Sequence, residues 1–419
     1  MNSISTYNTY LSTHQLSNYS ASSVGWIFSI YIFLTFLCGI FIGPVFDARG
    51  PRVLVFAGSV LMMASIMLMG ICTGTCVACA AASRCLADHQ VSALSLSPQL
   101  EYWQFLIVFG LLGGVGTSLV VTPATTAIGH FFMAKRGYAT GIACTGGSVG
   151  GVIFPLMLEA LFPRGWAWAT RIQGFVFLAL LTVANLLIRG RLEPVANTKL
   201  FILPNFRIFC QPPFVIVTIA AYFLEWGLFV PVTYMTSYCV DSGAFGSTFA
   251  YQVIAIYNGS STVGRWASGY LADRFGAYNI MIVMVFFCMS TSLGLWFPAT
   301  ILSDESLSTD RTKHASVISG LTVSYTVLMG IASGSNISLA PVCVSKLCDT
   351  RQYGEYYGMC YTVVAFGTLT GVPIAGAIIG VKRAYWAGAL FCGLCYFCAL
   401  VAFVAIRVAK VGWRWNLRY

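Results

Sequence analysis

The chain divides into apolar runs of roughly 20 residues separated by short polar breaks. That is the length an α-helix needs to cross a hydrocarbon core of about 30 Å. No other feature limits the possible folds as strongly. Eleven runs are read, at 24–46, 53–73, 103–128, 138–161, 168–188, 213–239, 249–271, 278–299, 317–344, 356–380 and 385–408. Charged residues make up 9% of the chain and hydrophobic residues 58%. Soluble domains carry about 25% charged residues, so too few charges exist here to cover a water-facing surface. An outer-membrane barrel would show alternating segments of about 10 residues, a pattern this sequence lacks. The expectation is an all-α polytopic protein embedded in a lipid bilayer.

Charge placement predicts orientation. The net charge of +10 first suggests a nucleic-acid partner, but the basic residues sit in short loops between spans, where they set topology. No nucleic acid is expected. Placing residues 47–52 in the cytoplasm puts fifteen Lys and Arg on that side and seven on the other, with Arg265 left inside a span. This predicts a cytoplasmic C-terminus. The long polar break at 189–212 is the expected cytoplasmic loop between an N-terminal half (1–188) and a C-terminal half (213–419).

Two stretches repeat one signature. "GPVFDARG" (43–50) and "GYLADRFG" (269–276) each carry Gly, then Asp four residues on, then Gly three further. The positions concerned are Gly43, Asp47, Arg49 and Gly50, and Gly269, Asp273, Arg274 and Gly276. A small residue permits close helix contact. The Asp can accept hydrogen bonds from a neighbouring helix N-terminus. Both loops stand first on the cytoplasmic side of their half. They resemble the loop between the second and third helices of major facilitator transporters, which are built from two parallel repeats.

A second stretch is more specific. "FFMAKRGYATGIACTG" (131–146) resembles the second signature of the monocarboxylate transporter family. Phe131 and Phe132 match its aromatic pair and Lys135 and Arg136 its basic cluster. Ala139, Gly141, Ala143 and Gly146 fall at the family's spacing. Ala134 and Tyr138 depart from it. "GGVIFPLML", "NGSSTVGRWASGYLADRFG" and "GTLTGVPIAGAIIG" resemble the family's fungal branch. The resemblance implies a major facilitator fold of two six-helix halves. On that reading helix 1 is largely missing, because "MNSISTYNTYLSTHQL" looks like its end and the following external loop. Residues 74–100 have no counterpart in the family. They are read as a retained intron or an atypical external loop.

Charged groups within spans are costly and are functional candidates. Glu225 lies in "AYFLEWGLFVP" and Arg265 in "STVGRWASGY". In antiparallel straight helices they stand about 18 Å and 12 Å from the cytoplasmic end, which predicts that the long Arg side chain reaches Glu225. Arg265 matches the intramembrane Arg with which monocarboxylate transporters hold a substrate carboxylate. The Asp that animal members place four residues earlier is Ser261 here, so Glu225 is the candidate proton-coupling carboxylate. Asn258 and Asn336 are candidate hydrogen-bonding groups. Tyr222, Trp226, Tyr234, Tyr257 and Trp266 are candidate cavity aromatics. Glycine clusters at 110–116, 146–151 and 367–380 are expected to be helix contact faces. Asn18 begins a glycosylation sequon.

Other chemistry is not indicated. The fifteen Cys are scattered through apolar spans, where thiols behave as small hydrophobes. Neither they nor the four His have metal-ligand spacing, and no cofactor is expected. No nucleophile elbow supports an enzyme. The expected function is secondary active transport of a small, carboxylate-bearing solute, with or without a coupled proton, at the plasma membrane. The alternatives are a fungal secondary-metabolite exporter, a riboflavin carrier, and a non-transporting sensor or inactive truncated product.

Overall fold

The computed structural model describes residues 4–72 apart from 18 and 20, and 99–192, 204–304, 311–380 and 383–412. Asn18 and nearly all of 74–100 therefore lie outside the described residues. All regular structure described is helical. The chain begins with α1 (Ile4–Thr13), α2 (Ala21–Leu37), α3 (Gly39–Arg49) and α4 (Arg52–Met69). Next come α5 (Gln99–Phe105) and α6 (Gly114–Phe131), joined by a π-helical turn, Leu106–Gly113, then α7 (Arg136–Leu161) and α8 (Trp166–Leu187). After the long polar break stand α9 (Pro212–Asp241), α10 (Ser247–Phe275), α11 (Ala277–Thr291) and α12 (Phe297–Ser303). A second π-helical turn, Ser292–Trp296, joins α11 to α12, and α13 (Arg311–Ser345), α14 (Tyr353–Ile379) and α15 (Tyr385–Val411) complete the bundle.

Among the described residues ten helical segments are long and apolar enough to cross a membrane. The eleventh expected span falls within α10, which has the length, 29 residues, but not the apolarity. Its polar run, Asn258-Gly-Ser-Ser-Thr followed by Arg265 and Ser268, is the reason. Asn258, Ser261, Arg265 and Ser268 are all buried in the protein, where they meet helices rather than lipid. The outer surface is the reverse: Leu186, Leu187 and Val53 are each at least 70% exposed. Such a surface suits hydrocarbon and would be an aggregation hazard in water.

Buried apolar residues form one large cluster between Ile208 and Ile406, with smaller ones between Tyr7 and Ala169 and between Ile42 and Ala127. In the large cluster Trp296 stacks on Tyr325 at 5.2 Å. In the second, the Trp166 indole donates to the Met69 carbonyl at 2.9 Å. Helix α10 packs mainly on α13 and α7, α9 on α15 and α14, and α14 on α3, α9 and α2. Small residues set the closest seam: a Cβ on Gly264 would lie 1.9 Å from the Ile331 carbonyl oxygen.

Candidate functional site

The repeated loops do the same thing twice. Gly50 and Gly276 end α3 and α10 with φ of +79° and +98°, a region that favours glycine. Each closes its helix by donating to the carbonyl four residues back, Phe46 and Ala272, both at 2.8 Å. The Asp three residues before each Gly reaches a distant helix. Asp47 accepts from the Gly354 and Glu355 amides at 3.0 and 2.8 Å. Asp273 accepts from the Gly137 and Tyr138 amides at 2.9 and 2.8 Å. Both acceptors thus satisfy orphan donors at a helix N-terminus, α14 in one case and α7 in the other. Arg49 and Arg274 are exposed, the latter lying over the Tyr270 ring at 4.6 Å.

Glycines make these approaches possible. A Cβ on Gly43 would lie 2.1 Å from the Gly354 oxygen, and one on Gly358 2.1 Å from the Gly39 oxygen. Across the other seam, a Cβ on Gly269 would lie 2.4 Å from the Gly137 oxygen, and one on Gly141 2.4 Å from the Arg265 oxygen. Arg136 ties the two seams together. Its guanidinium donates to the Gly129 carbonyl at 2.7 Å and the Ser345 carbonyl at 3.4 Å, near the ends of α6 and α13. It also lies 5.5 Å from the centre of the Tyr353 ring. Phe131, Phe132 and Lys135 are exposed, while Gly141 is buried in the seam.

Deeper in the bundle stands Arg265, 6% exposed. One terminal nitrogen donates to the Cys144 carbonyl of α7. Its Nε is buried and has no hydrogen-bond partner among the described residues. One turn earlier, the Ser261 and Ser148 hydroxyls meet at 2.7 Å. Tyr257 pairs with Ser333 at 2.6 Å. Asn336 is 1% exposed, with its amide nitrogen 3.7 Å from the Cys288 sulfur and its amide oxygen unpartnered. Asn258, also buried, offers its backbone carbonyl to Ser261 at 2.8 Å.

The expected contact between Arg265 and Glu225 is not formed. Arg265 turns toward α7, whereas Glu225 lies among Tyr357, Cys360 and Tyr361 of α14. Depth along two helices does not fix the direction in which a side chain leaves its helix, which is where the sequence estimate failed. Glu225 is 7% exposed and has neither hydrogen-bond nor ion-pair partner among the described residues.

The aromatic candidates also divide. Trp226 donates to the Gly367 carbonyl at 2.9 Å and Tyr234 to the Val372 carbonyl at 3.0 Å. With Tyr222 they fill notches that Gly367, Gly371 and Gly376 leave in α14. Trp266 is 51% exposed. A cavity of about 230 Å³ opens among α1, α2, α4, α7, α8 and the first π-helical turn. Its floor includes Gly146, Gly147 and Gly150. The 146–151 cluster therefore borders open space, contrary to its expected role as a contact face, while the 110–116 cluster packs tightly on Ile27, Tyr31, Met62 and Ser65.

A family model described as Major Facilitator Superfamily matches residues 1–324. The chain belongs to the major facilitator superfamily. This facilitator is similar to riboflavin transporter MCH5 of Saccharomyces cerevisiae, at 31% identity over 99% of this chain and 76% of that protein. It is also similar to the aspyridones efflux protein apdF of Emericella nidulans, at 33% identity over 90% of this chain and 68% of that protein. Among solved structures, a bacterial homologue of iron transporter ferroportin in an outward-facing state superposes with a TM-score of 0.69 at 15% identity. That match covers 97% of this chain and 96% of the other. FucP in an outward conformation gives 0.61 at 15% identity, covering 91% and 89%. Both likenesses concern the fold.

Sequence reasoning missed the partners of the loop carboxylates. Their signal was present: "RGYATG" (136–141) and "YGEYYG" (353–358) both place Gly at the second and sixth positions. The facilitator brings each of these Gly pairs against one repeated loop.

Proposed function

We propose that the chain is a secondary active transporter that moves a small, carboxylate-bearing organic solute by alternating access. Two halves, 1–188 and 213–419, rock about a central site and are joined by the cytoplasmic loop 189–212. The repeated loops are the cytoplasmic gate. The observation that carries the solute reading is Arg265: a buried guanidinium at the seam of α7 and α10, with an unpaired Nε and no acidic partner among the described residues. An isolated charge in a bilayer protein costs about 2.5–3.5 kcal/mol on insertion scales. A solute carboxylate relieves that cost through the parallel donors of the guanidinium. Tyr257, Asn258, Asn336 and Tyr234 are secondary candidates for solute contact.

Glu225 is the proposed proton-coupling group. It is buried and unpaired, so taking up or releasing a proton breaks no existing bridge. Transport that loses its pH dependence in Glu225→Gln supports this assignment; an unchanged pH profile removes it. The excess of basic residues in loops on one side supports a cytoplasmic C-terminus, and the plasma membrane is the proposed location.

A second reading is carriage of riboflavin or export of a secondary metabolite. It is favoured by the likeness to a riboflavin transporter and to an efflux protein. Uptake and efflux of labelled carboxylates and riboflavin in transporter-deficient yeast separate the two. The first reading expects carboxylate movement that falls at least tenfold in Arg265→Gln and partly survives in Arg265→Lys. Carboxylate movement untouched by Arg265→Gln overturns it. Riboflavin movement without carboxylate movement selects the second.

A further inference from the structure

The cavity beside Arg265 is built unlike the helix seams. At the seams a Cβ added to Gly43, Gly141, Gly264, Gly269 or Gly334 would fall 1.9–2.4 Å from a backbone oxygen. On Gly146 it would meet nothing within 4 Å, and on Gly150 only ring carbons of Phe154 at 3.4 Å. Bare helix backbone thus faces open space. Around that floor stand five rings, Tyr7 among them. Tyr31 and Phe109 are stacked at 4.8 Å, and Phe154 and Phe177 meet edge to face at 5.0 Å. The wall hydroxyls are already engaged, Tyr7 with Gln173 and Tyr31 with Thr117 at 2.9 Å. What the wall offers is mainly flat apolar surface. Positive charge lies at the rim, because a Cβ on Gly147 would come within 2.9 Å of Arg265 Nη1. The volume, about 230 Å³, exceeds the roughly 150 Å³ apolar cavity that takes up benzene. It accommodates one ring or a fused pair.

We propose that this cavity receives the aromatic ring system of an anionic solute. The ring lies on the backbone of Gly146 and Gly150 against the surrounding aromatics, and its carboxylate meets the Arg265 guanidinium. The substrate class is an aryl carboxylate, in preference to a short aliphatic acid, and Gly146 is the specificity-determining position. The inference rests on the reading of Arg265 as an anion site and adds the ring subsite to it.

The test is binding of 1-naphthoate, butyrate and neutral 1-naphthalenemethanol to the purified full chain in nanodiscs, followed by calorimetry. The variants are Gly146→Leu, whose Cβ enters empty space, Gly150→Leu as a second block should the first not fold, and Arg265→Gln. Naphthoate is expected to bind at least tenfold more tightly than butyrate. The glycine variants weaken naphthoate at least tenfold and butyrate by a much smaller factor, while Arg265→Gln weakens both acids. If the two acids bind alike, or a folded glycine variant still binds naphthoate normally, the ring subsite is overturned and the Arg265 reading stands. If naphthalenemethanol binds as tightly as naphthoate and Arg265→Gln changes nothing, the carboxylate reading falls and the proposal falls with it.

Discussion

Replacing Asp273 by Asn probes whether a loop carboxylate holds the seam between α10 and α7. The two oxygens accept the Gly137 and Tyr138 amides at 2.9 and 2.8 Å. Asparagine keeps the shape but has one acceptor oxygen, so one amide faces an NH₂ donor instead. Losing a hydrogen bond to a charged acceptor costs about 1.5–3 kcal/mol. Removing a negative charge from a helix N-terminus costs about 0.3–1 kcal/mol more. Asp273 is only half-buried, so solvent screening brings the sum to about 2 kcal/mol. That free energy corresponds to roughly a 30-fold increase in local opening. Hydrogen exchange read by mass spectrometry on a peptide spanning 136–143, in nanodiscs, measures it directly. Exchange in the first turn of α7 is expected to accelerate roughly 30-fold, with α8 amides unchanged. Asp47→Asn should do the same to residues 353–358. Unchanged exchange at 136–143 in a folded Asp273→Asn protein would show that the carboxylate does not hold this seam.

Three further outcomes are expected. Gly269→Ala drives a Cβ toward the Gly137 carbonyl oxygen at 2.4 Å; backbone cannot yield as a side chain can, so the unfolding midpoint falls by the equivalent of about 1–3 kcal/mol. Gly294→Ala, where a Cβ meets nothing within 4 Å, is the matched control and should leave the midpoint close to wild type. Arg136→Lys keeps the charge but cannot serve the Gly129 and Ser345 carbonyls with the same planar fork. Thermal unfolding of that variant should show a loss of about 1–3 kcal/mol.

Much of the fold was legible because bilayer thickness imposes a run length that a sequence must display. Even α10, too polar to pass on apolarity alone, was recognisable by its length and by the loop that ends it. The loop signature was legible because Gly-x3-Asp-x2-Gly encodes local requirements: a close approach, an acceptor and a positive φ. What that acceptor caps was not, since α14 and α7 are distant in sequence and only their shared Gly-x3-Gly hinted at the match. The direction of Arg265 was hidden for a related reason, because rise per residue gives depth but not which neighbour a side chain meets. Glycine spacing was ambiguous in the same way. Gly146 and Gly150 look in sequence like Gly39 and Gly43, yet one pair borders a cavity and the other is closed by a second helix backbone.

The two seams correspond residue by residue, and their one large difference is informative. Gly39 stands four residues before Gly43, and Arg265 stands four residues before Gly269. Both backbones are approached by a glycine of the facing helix: the Gly39 oxygen would meet a Cβ on Gly358 at 2.1 Å, the Arg265 oxygen one on Gly141 at 2.4 Å. Arg136 and Tyr353 likewise hold equivalent positions, each immediately before a glycine amide that an Asp caps, and the two touch. At the loops, then, the two repeats make the same contacts. One helical turn inward the first repeat has no side chain, and the second has a buried guanidinium. A symmetric seam can be served by two copies of one design, but an anion needs charge from one side and room from the other. Gly39 is sealed against Gly358, whereas Arg265 faces α7, whose helix runs on to the open floor at Gly146 and Gly150. The charge therefore stands where the bundle also leaves space, which is the arrangement the proposed anion site requires.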